Sequence, residues 1–306
     1  MSRTATRLAT GLIAVLLLVA GCSGTTEGRP SVVVTTNILG DITRTVVGDQ
    51  ADVTVLMKPN ADPHSFGISA QQAAQLERAG LVVYNGLGLE EGVLRTVASA
   101  AGSGVPTVPV GERTNPISYT GGENAGQPDP HFWTDPGRMR EAVTVIADQV
   151  IAHVRGVDEA VVRANAARLR DEIAALESTM TRRFAEIPPA RRKLVTNHHV
   201  FGYLAQRFGF EIIGAVIPGG TTLASPSAAD LRALSDAVRA AGVPAIFADS
   251  SQSDRLARVL AEQAGLHVTV RPLFTESLTE PGKGAATYLE MMRANTEAIA
   301  TSLTRP

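Results

Sequence analysis

One cysteine, Cys22, occurs in 306 residues, so no disulfide can form within the chain and no zinc site can be built on thiolates. Aromatic residues make up only 4% of the chain, with a single tryptophan. Neither charge dominates: 28 Lys and Arg stand against 30 Asp and Glu. Setting aside Arg3 and Arg7, which lie in an N-terminal leader, leaves 26 against 30, a mildly acidic surface. No basic stripe is there to neutralise phosphates, which argues against nucleic acid as a partner. Beyond the leader no second membrane segment follows. Residues 115–127, rich in Gly and Asn and expected to be mobile, contain no histidine and so form no metal-scavenging tract.

The leader itself covers residues 1–21. Arg3 and Arg7 form a basic start, Leu12 to Val19 an apolar core too short to span a bilayer, and small residues follow. Its end, Leu18-Val19-Ala20-Gly21-Cys22, resembles a bacterial lipobox. That resemblance implies cleavage before Cys22, lipidation of its sulfur, and anchorage at the outer face of the cytoplasmic membrane. Residues 22–31 are then a short polar tether.

The chain writes one tripeptide twice, as Asp62-Pro63-His64 and Asp129-Pro130-His131. Proline fixes its own φ and pushes the preceding residue into extended geometry. Each copy is a stiff bracket that presents one imidazole at the exit of an apolar, strand-like run. Asp-Pro also opens ordinary turns, but the repetition suggests two histidines aimed at one object.

From residue 32 short β-branched runs alternate with helical stretches. Residues 32–36, 53–57, 81–84 and 105–110 read as strands buried on both faces, with helical spacing at 38–47 and 69–79. Ser69 and Gln72 form a capping box, and Gly80 is expected to close that helix. Asn85-Gly86-Leu87-Gly88 lacks the third glycine of a dinucleotide fingerprint and reads as a structural turn. Residues 136–153 are helical. Asp158 then caps a helix running to about Glu186, with Leu169, Ile173, Leu176, Met180 and Phe184 in one stripe. At 1.5 Å per residue it spans roughly 40 Å, which suits a rod between two lobes. Residues 193–196, 211–217, 245–248 and 267–270 repeat the strand pattern, with helices at 227–241 and 254–264.

The predicted fold class is therefore α/β, two lobes, each a parallel sheet flanked by helices, joined by one long rigid helix. Expected boundaries are 32–157 for the N-terminal lobe, 158–187 for the linking helix and 188–306 for the C-terminal lobe. Ligands in such sheets sit beyond the carboxyl ends of the strands. His64, His131, His198 and Glu276 all fall there, and imidazole with carboxylate suits zinc. Neighbours in extended chain point opposite ways, so only one of His198 and His199 should reach a shared site. Asp249 follows a strand as a capping carboxylate or as a partner behind the ligands. His153 reads as a helix-surface imidazole and His267 as a packed one.

Asp62-Pro63-His64, Asp129-Pro130-His131-Phe132-Trp133, His198-His199-Val200-Phe201-Gly202-Tyr203 and Leu273-Phe274-Thr275-Glu276-Ser277-Leu278 together resemble the cluster A-I solute-binding lipoproteins, zinc and manganese receptors of bacterial ABC importers. The similarity runs from about residue 32 to the end. It implies the metal ligands His64, His131, His198 and Glu276, with His198 selected over His199 by the family's spacing of histidine and aromatic. The family's last carboxylate is usually Asp, so the longer Glu276 must bind with altered reach or a shifted loop. Val200 stands where Ala is commoner, a small packing change.

The implied function is extracytoplasmic binding of a divalent ion, Zn2+ before Mn2+, and its delivery to an ABC permease by a lipid-anchored, non-enzymatic monomer. The histidine at the third position favours zinc, since manganese receptors often carry Glu there. Competing readings are a lipid-anchored zinc hydrolase, if Glu276 does not bind, and a receptor for a metal chelate or a cell-adhesion protein on the same scaffold.

Overall fold

The structure, a computed structural model, describes residues 29–120, 124–217, 219–264 and 268–304. Cys22 and His267 lie outside the described residues. The first sheet is wholly parallel, in the order β2-β1-β3-β4. Its strands are β1 (Ser31–Val34), β2 (Asp52–Val55), β3 (Leu81–Tyr84) and β4 (Thr107–Pro109). Val32 to Val34 and Leu81 to Val83 are fully buried because β1 and β3 are the inner strands, covered on both faces. Helices α1 (Asn37–Val47), α2 (Ala70–Glu77) and α3 (Leu94–Gly102) make the crossovers. The second sheet, in the order β6-β5-β7-β8, is also parallel. It is built from β5 (Lys193–Thr196), β6 (Glu211–Ala215), β7 (Ala245–Asp249) and β8 (Thr269–Leu273). Its helices are α6 (Gly202–Phe208), α7 (Ala228–Ala241) and α8 (Arg255–Ala264).

Between the sheets run α4 (Pro136–His153) and the 27-residue α5 (Glu159–Ala185). (The C-terminal helix, α9, covers Tyr288–Thr304.) Asp158 caps α5 by accepting from the amides of Ala160 and Val161. Val162, Leu169, Ile173, Leu176, Met180 and Phe184 are buried at steps of three, four and seven along it. At about 1.5–3 kcal/mol for each large apolar side chain, that stripe contributes on the order of 10 kcal/mol before ordering entropy is set against it. It rests on α1, α4 and α9, so the linking element is a packed helix rather than a bare rod. One continuous core runs from Val32 of β1 through α5 to Leu303 of α9.

Several local expectations shift. β2, β4, β6 and β8 are edge strands, and β2, β6 and β8 are only partly buried rather than covered on both faces. The last strand begins at Thr269 and ends at Leu273, because its register is set by pairing Ala245 to Asp249 of β7. Helix α2 ends at a cap on Arg78. Gly80 instead begins the return into β3, where a Cβ would meet the Ser31 carbonyl at 3.0 Å. Helices α3, α6 and α9 were not anticipated from the sequence.

Candidate metal centre

In each bracket the aspartate folds back on its own histidine. The backbone N–H of His64 donates to Asp62 Oδ1 at 2.9 Å, and that of His131 to Asp129 Oδ1 at 2.9 Å. The amides of Ser65 and Phe66 donate to the Asp62 carbonyl and complete the first turn. The second bracket leads into a short 3-10 turn, Phe132–Thr134, whose Thr134 amide returns to the His131 carbonyl. These bonds replace the ladder bonds lost where the strands end, and they point both imidazoles into the cleft. His198 follows β5, its carbonyl accepting from Thr196 Oγ1 at 2.7 Å. Glu276 follows β8. All four side chains thus stand beyond carboxyl ends of strands, two from each sheet.

They meet at one point. Glu276 Oε1 lies 3.0 Å from His64 Nε2, 3.1 Å from His131 Nε2 and 3.1 Å from His198 Nε2, while His64 Nε2 and His131 Nε2 are 3.4 Å apart. The four ligand atoms lie within 4.8 Å of one another, and all four residues are buried. A tetrahedral ion with bonds of 2.0–2.1 Å requires donor separations of about 3.3–3.4 Å, so these edges match a small four-coordinate cation. At the centre Glu276 Oε2 is buried without a hydrogen-bond partner, and His198 Nε2, though 3.1 Å from Glu276 Oε1, makes no well-aligned hydrogen bond. Buried polar atoms are otherwise nearly always paired, and an ion among them would answer the deficit. The residues present therefore fit a zinc-like cation. Glu276 Oε1 thus reaches all three imidazoles.

The electrostatics agree. Burial pulls the His131 pKa down, but hydrogen bonds to Asp129 and Glu276 outweigh it and raise it to about 9. Asp129 Oδ1 sits 2.8 Å from His131 Nδ1; a carboxylate only accepts, so Nδ1 carries the proton and Nε2 faces the centre. Tyr119 Oη approaches the same nitrogen at 3.3 Å. Burial works against the Glu276 carboxylate, yet the charges of His198 and His64 and the bonds from His131 hold it well below the usual range.

His199 is left outside the cluster. It is half-buried on an open cleft of about 540 Å³, its ring 6.5 Å from that of Tyr119, and burial lowers its pKa. Asp249 does not enter the cluster either. It accepts from the amide and hydroxyl of Ser251 and from Thr275 Oγ1, next in sequence to Glu276. Burial, then the Glu276 charge, raises its pKa to about 6. Asp249 is thus both a turn-capping carboxylate and a support behind a cluster residue. His153 is exposed at the end of α4. The described part of the 115–127 loop is laced by backbone bonds between Tyr119 and both Gly126 and Gln127, and delivers Tyr119 to the site.

Sequence reasoning missed Glu90. Its fully buried carboxylate accepts from Thr35 Oγ1 (2.7 Å) and the amides of Asn85 (2.6 Å) and Gly86 (3.2 Å). Burial raises its pKa. Asn85 Nδ2 in turn donates to the Pro130 carbonyl at 3.0 Å, so the glycine turn supports the second bracket. A glutamate closing an apolar Gly-Leu-Gly-Leu run was the available signal.

Comparison with known proteins gives one family. The family described as zinc-uptake complex component A, periplasmic (ZnuA), matches residues 32–302. The zinc-binding protein TroA of Treponema pallidum is 29% identical over 283 residues, 91% of this chain and 90% of its own. The manganese ABC transporter substrate-binding lipoprotein PsaA of Streptococcus anginosus is 27% identical over 302 residues, 96% of each chain. The solved TroA structure superposes with a TM-score of 0.84 at 27% identity, covering 91% of this chain and 100% of that one.

Proposed function

Since the chain belongs to the ZnuA family of periplasmic zinc-uptake components, we propose that it captures a divalent metal ion outside the cytoplasmic membrane and hands it to the permease of an ABC importer. The observation that carries this is the convergence of His64, His131, His198 and Glu276 on one buried point. Three imidazoles and one carboxylate form a set suited to zinc at four-coordination, whereas manganese prefers more oxygen donors. Zinc is therefore the first cargo and manganese, named for PsaA, the second.

His64, His131, His198 and Glu276 act as the ligands, with Asp129 orienting His131. Lobes 32–157 and 188–306 hold them from two sides and 158–187 joins the lobes. The protein works as a monomer tethered through lipidated Cys22 at the outer face of the membrane. It is a receptor and not an enzyme: a hydrolytic zinc centre keeps one position open for water, and Glu276 Oε1, within 3.1 Å of all three imidazoles, takes that position.

Titration of the metal-free chain with zinc and with manganese tests the reading. One zinc per chain, bound more tightly than manganese, is the expected result. Tighter manganese binding would move the cargo to the second reading. Ester turnover by the zinc-loaded chain would sink the receptor assignment.

A further inference from the structure

Asn37, the first residue of α1, is 8% exposed and supplies no atom to the cluster. Its side-chain amide is nevertheless fully used. Nδ2 donates to Ser277 Oγ at 2.8 Å and to the Lys58 carbonyl at 3.2 Å, and Oδ1 accepts from the Leu278 amide at 2.9 Å. Lys58 leads into the first bracket and His64, whereas Ser277 and Leu278 leave Glu276. One side chain at the end of β1 therefore grips the approach to a histidine of one sheet and the exit from the carboxylate of the other.

The grip is reinforced on both sides of Glu276. The Leu278 carbonyl accepts from the amide of Asn60 at 2.9 Å. Asn60 holds φ at 58°, a left-handed conformation that asparagine tolerates better than most residues. Before Glu276, the Thr275 carbonyl accepts from Trp133 Nε1 at 2.8 Å. Glu276 thus hangs between two points of second-lobe chain fastened to the first lobe. A glutamate has more rotatable bonds than an aspartate, so its carboxylate lands on a fixed point only if its backbone is held there.

We infer that Asn37 is a positioning residue that sets the reach of Glu276 toward the ion, an inference that rests on the metal-binding reading above. The side chain has to be an amide. The Leu278 N–H needs an acceptor, while the Lys58 carbonyl needs a donor, and only asparagine at this length offers both. Aspartate would keep the first bond and could accept from the Ser277 hydroxyl, but it would lose the bond to Lys58 and turn an oxygen on that carbonyl.

The test uses the metal-free chain with Co2+ as a spectroscopic probe and Zn2+ for affinity. Asn37→Ala should weaken zinc binding roughly 10–100-fold, the range for groups that orient ligands, and should reduce the visible Co2+ absorption of four-coordinate metal. Asn37→Asp, closer in size and safer for folding, should move both in the same direction. In a Glu276→Ala background Asn37→Ala should cost nothing further, because its effect runs through the carboxylate. Without metal, the Leu278 amide should exchange faster in Asn37→Ala. Zinc affinity and Co2+ spectrum unchanged in both variants would overturn the inference, as would an equal loss in the Glu276→Ala background. A wild-type chain that binds neither metal overturns the metal-binding reading instead, and the inference with it; the unmutated protein alone tells the two failures apart.

Discussion

The two Asp-Pro-His brackets share a sequence and a backbone turn, yet their carboxylates do different work. In both, the histidine amide donates to its own aspartate at 2.9 Å. Asp129 then spends the same oxygen on its own imidazole, which fixes the tautomer of His131 and raises the pKa of that ring. Asp62 leaves its imidazole alone and reaches across the cleft. Its Oδ2 accepts from Thr222 Oγ1 at 2.6 Å and Gln252 Nε2 at 3.1 Å, both beyond the second sheet. One bracket tunes an imidazole of the cluster and the other bonds across the cleft. A repeated motif fixes local geometry, and the surroundings decide what its spare oxygen does.

The largest change expected is common to both brackets. His64→Ala and His131→Ala each remove a donor and should lower zinc affinity by more than the ~10–100-fold typical of an outer partner, measured by competition with a chelating dye. The brackets should separate at the next step. Asp129→Asn should cost about 10–100-fold in zinc affinity, and Asp62→Asn should cost less while loosening the lobes, visible as faster zinc release. Equal losses would erase the distinction.

The pH dependence sharpens it further. His131 is raised above its ordinary 6.5 to about 9 in the folded, metal-free chain. The stability it contributes is present below pH 6.5 and is lost as pH rises through 9. The metal-free melting temperature should therefore fall across that window in wild type and stay flatter in Asp129→Asn. Zinc affinity should move the opposite way, rising with pH as the proton stops competing and dropping steeply below about 6.5, where ordinary imidazoles take up protons. Equal affinities at pH 7.5 and 5.5 would contradict it. The smallest effect belongs to the cross-cleft bonds: Thr222→Val should cost only about 0.5–1.5 kcal/mol in thermal or chemical unfolding.

Much of the site was legible because its signals are local. A proline between aspartate and histidine dictates a turn wherever it occurs, and its repetition marked His64 and His131. The stripe on α5 and its Asp158 cap are periodic features of one segment. What escaped is long-range or weakly patterned. Helix α3 is rich in small residues, and α6 is only 7 residues long. α9 carried a usable stripe in Met292, Asn295, Ile299 and Leu303, but its place against α5 is a tertiary fact. The bonds of Asp62 to Thr222 and Gln252 join residues 160 and 190 positions apart, and no local spacing announces them. The same holds for Asn37.

The three imidazoles and the carboxylate of the cluster are at most 2% exposed, and the seam beside them is stitched by Asp62, Trp133 and Asn37. An ion held there is a passenger behind a locked door. For the ion to leave, the seam would have to part as well as the bonds to the ion break. Spontaneous leakage into the surrounding fluid is then slow even for a cargo of moderate affinity. Unloading becomes a mechanical act, performed by whatever surface prises the halves apart.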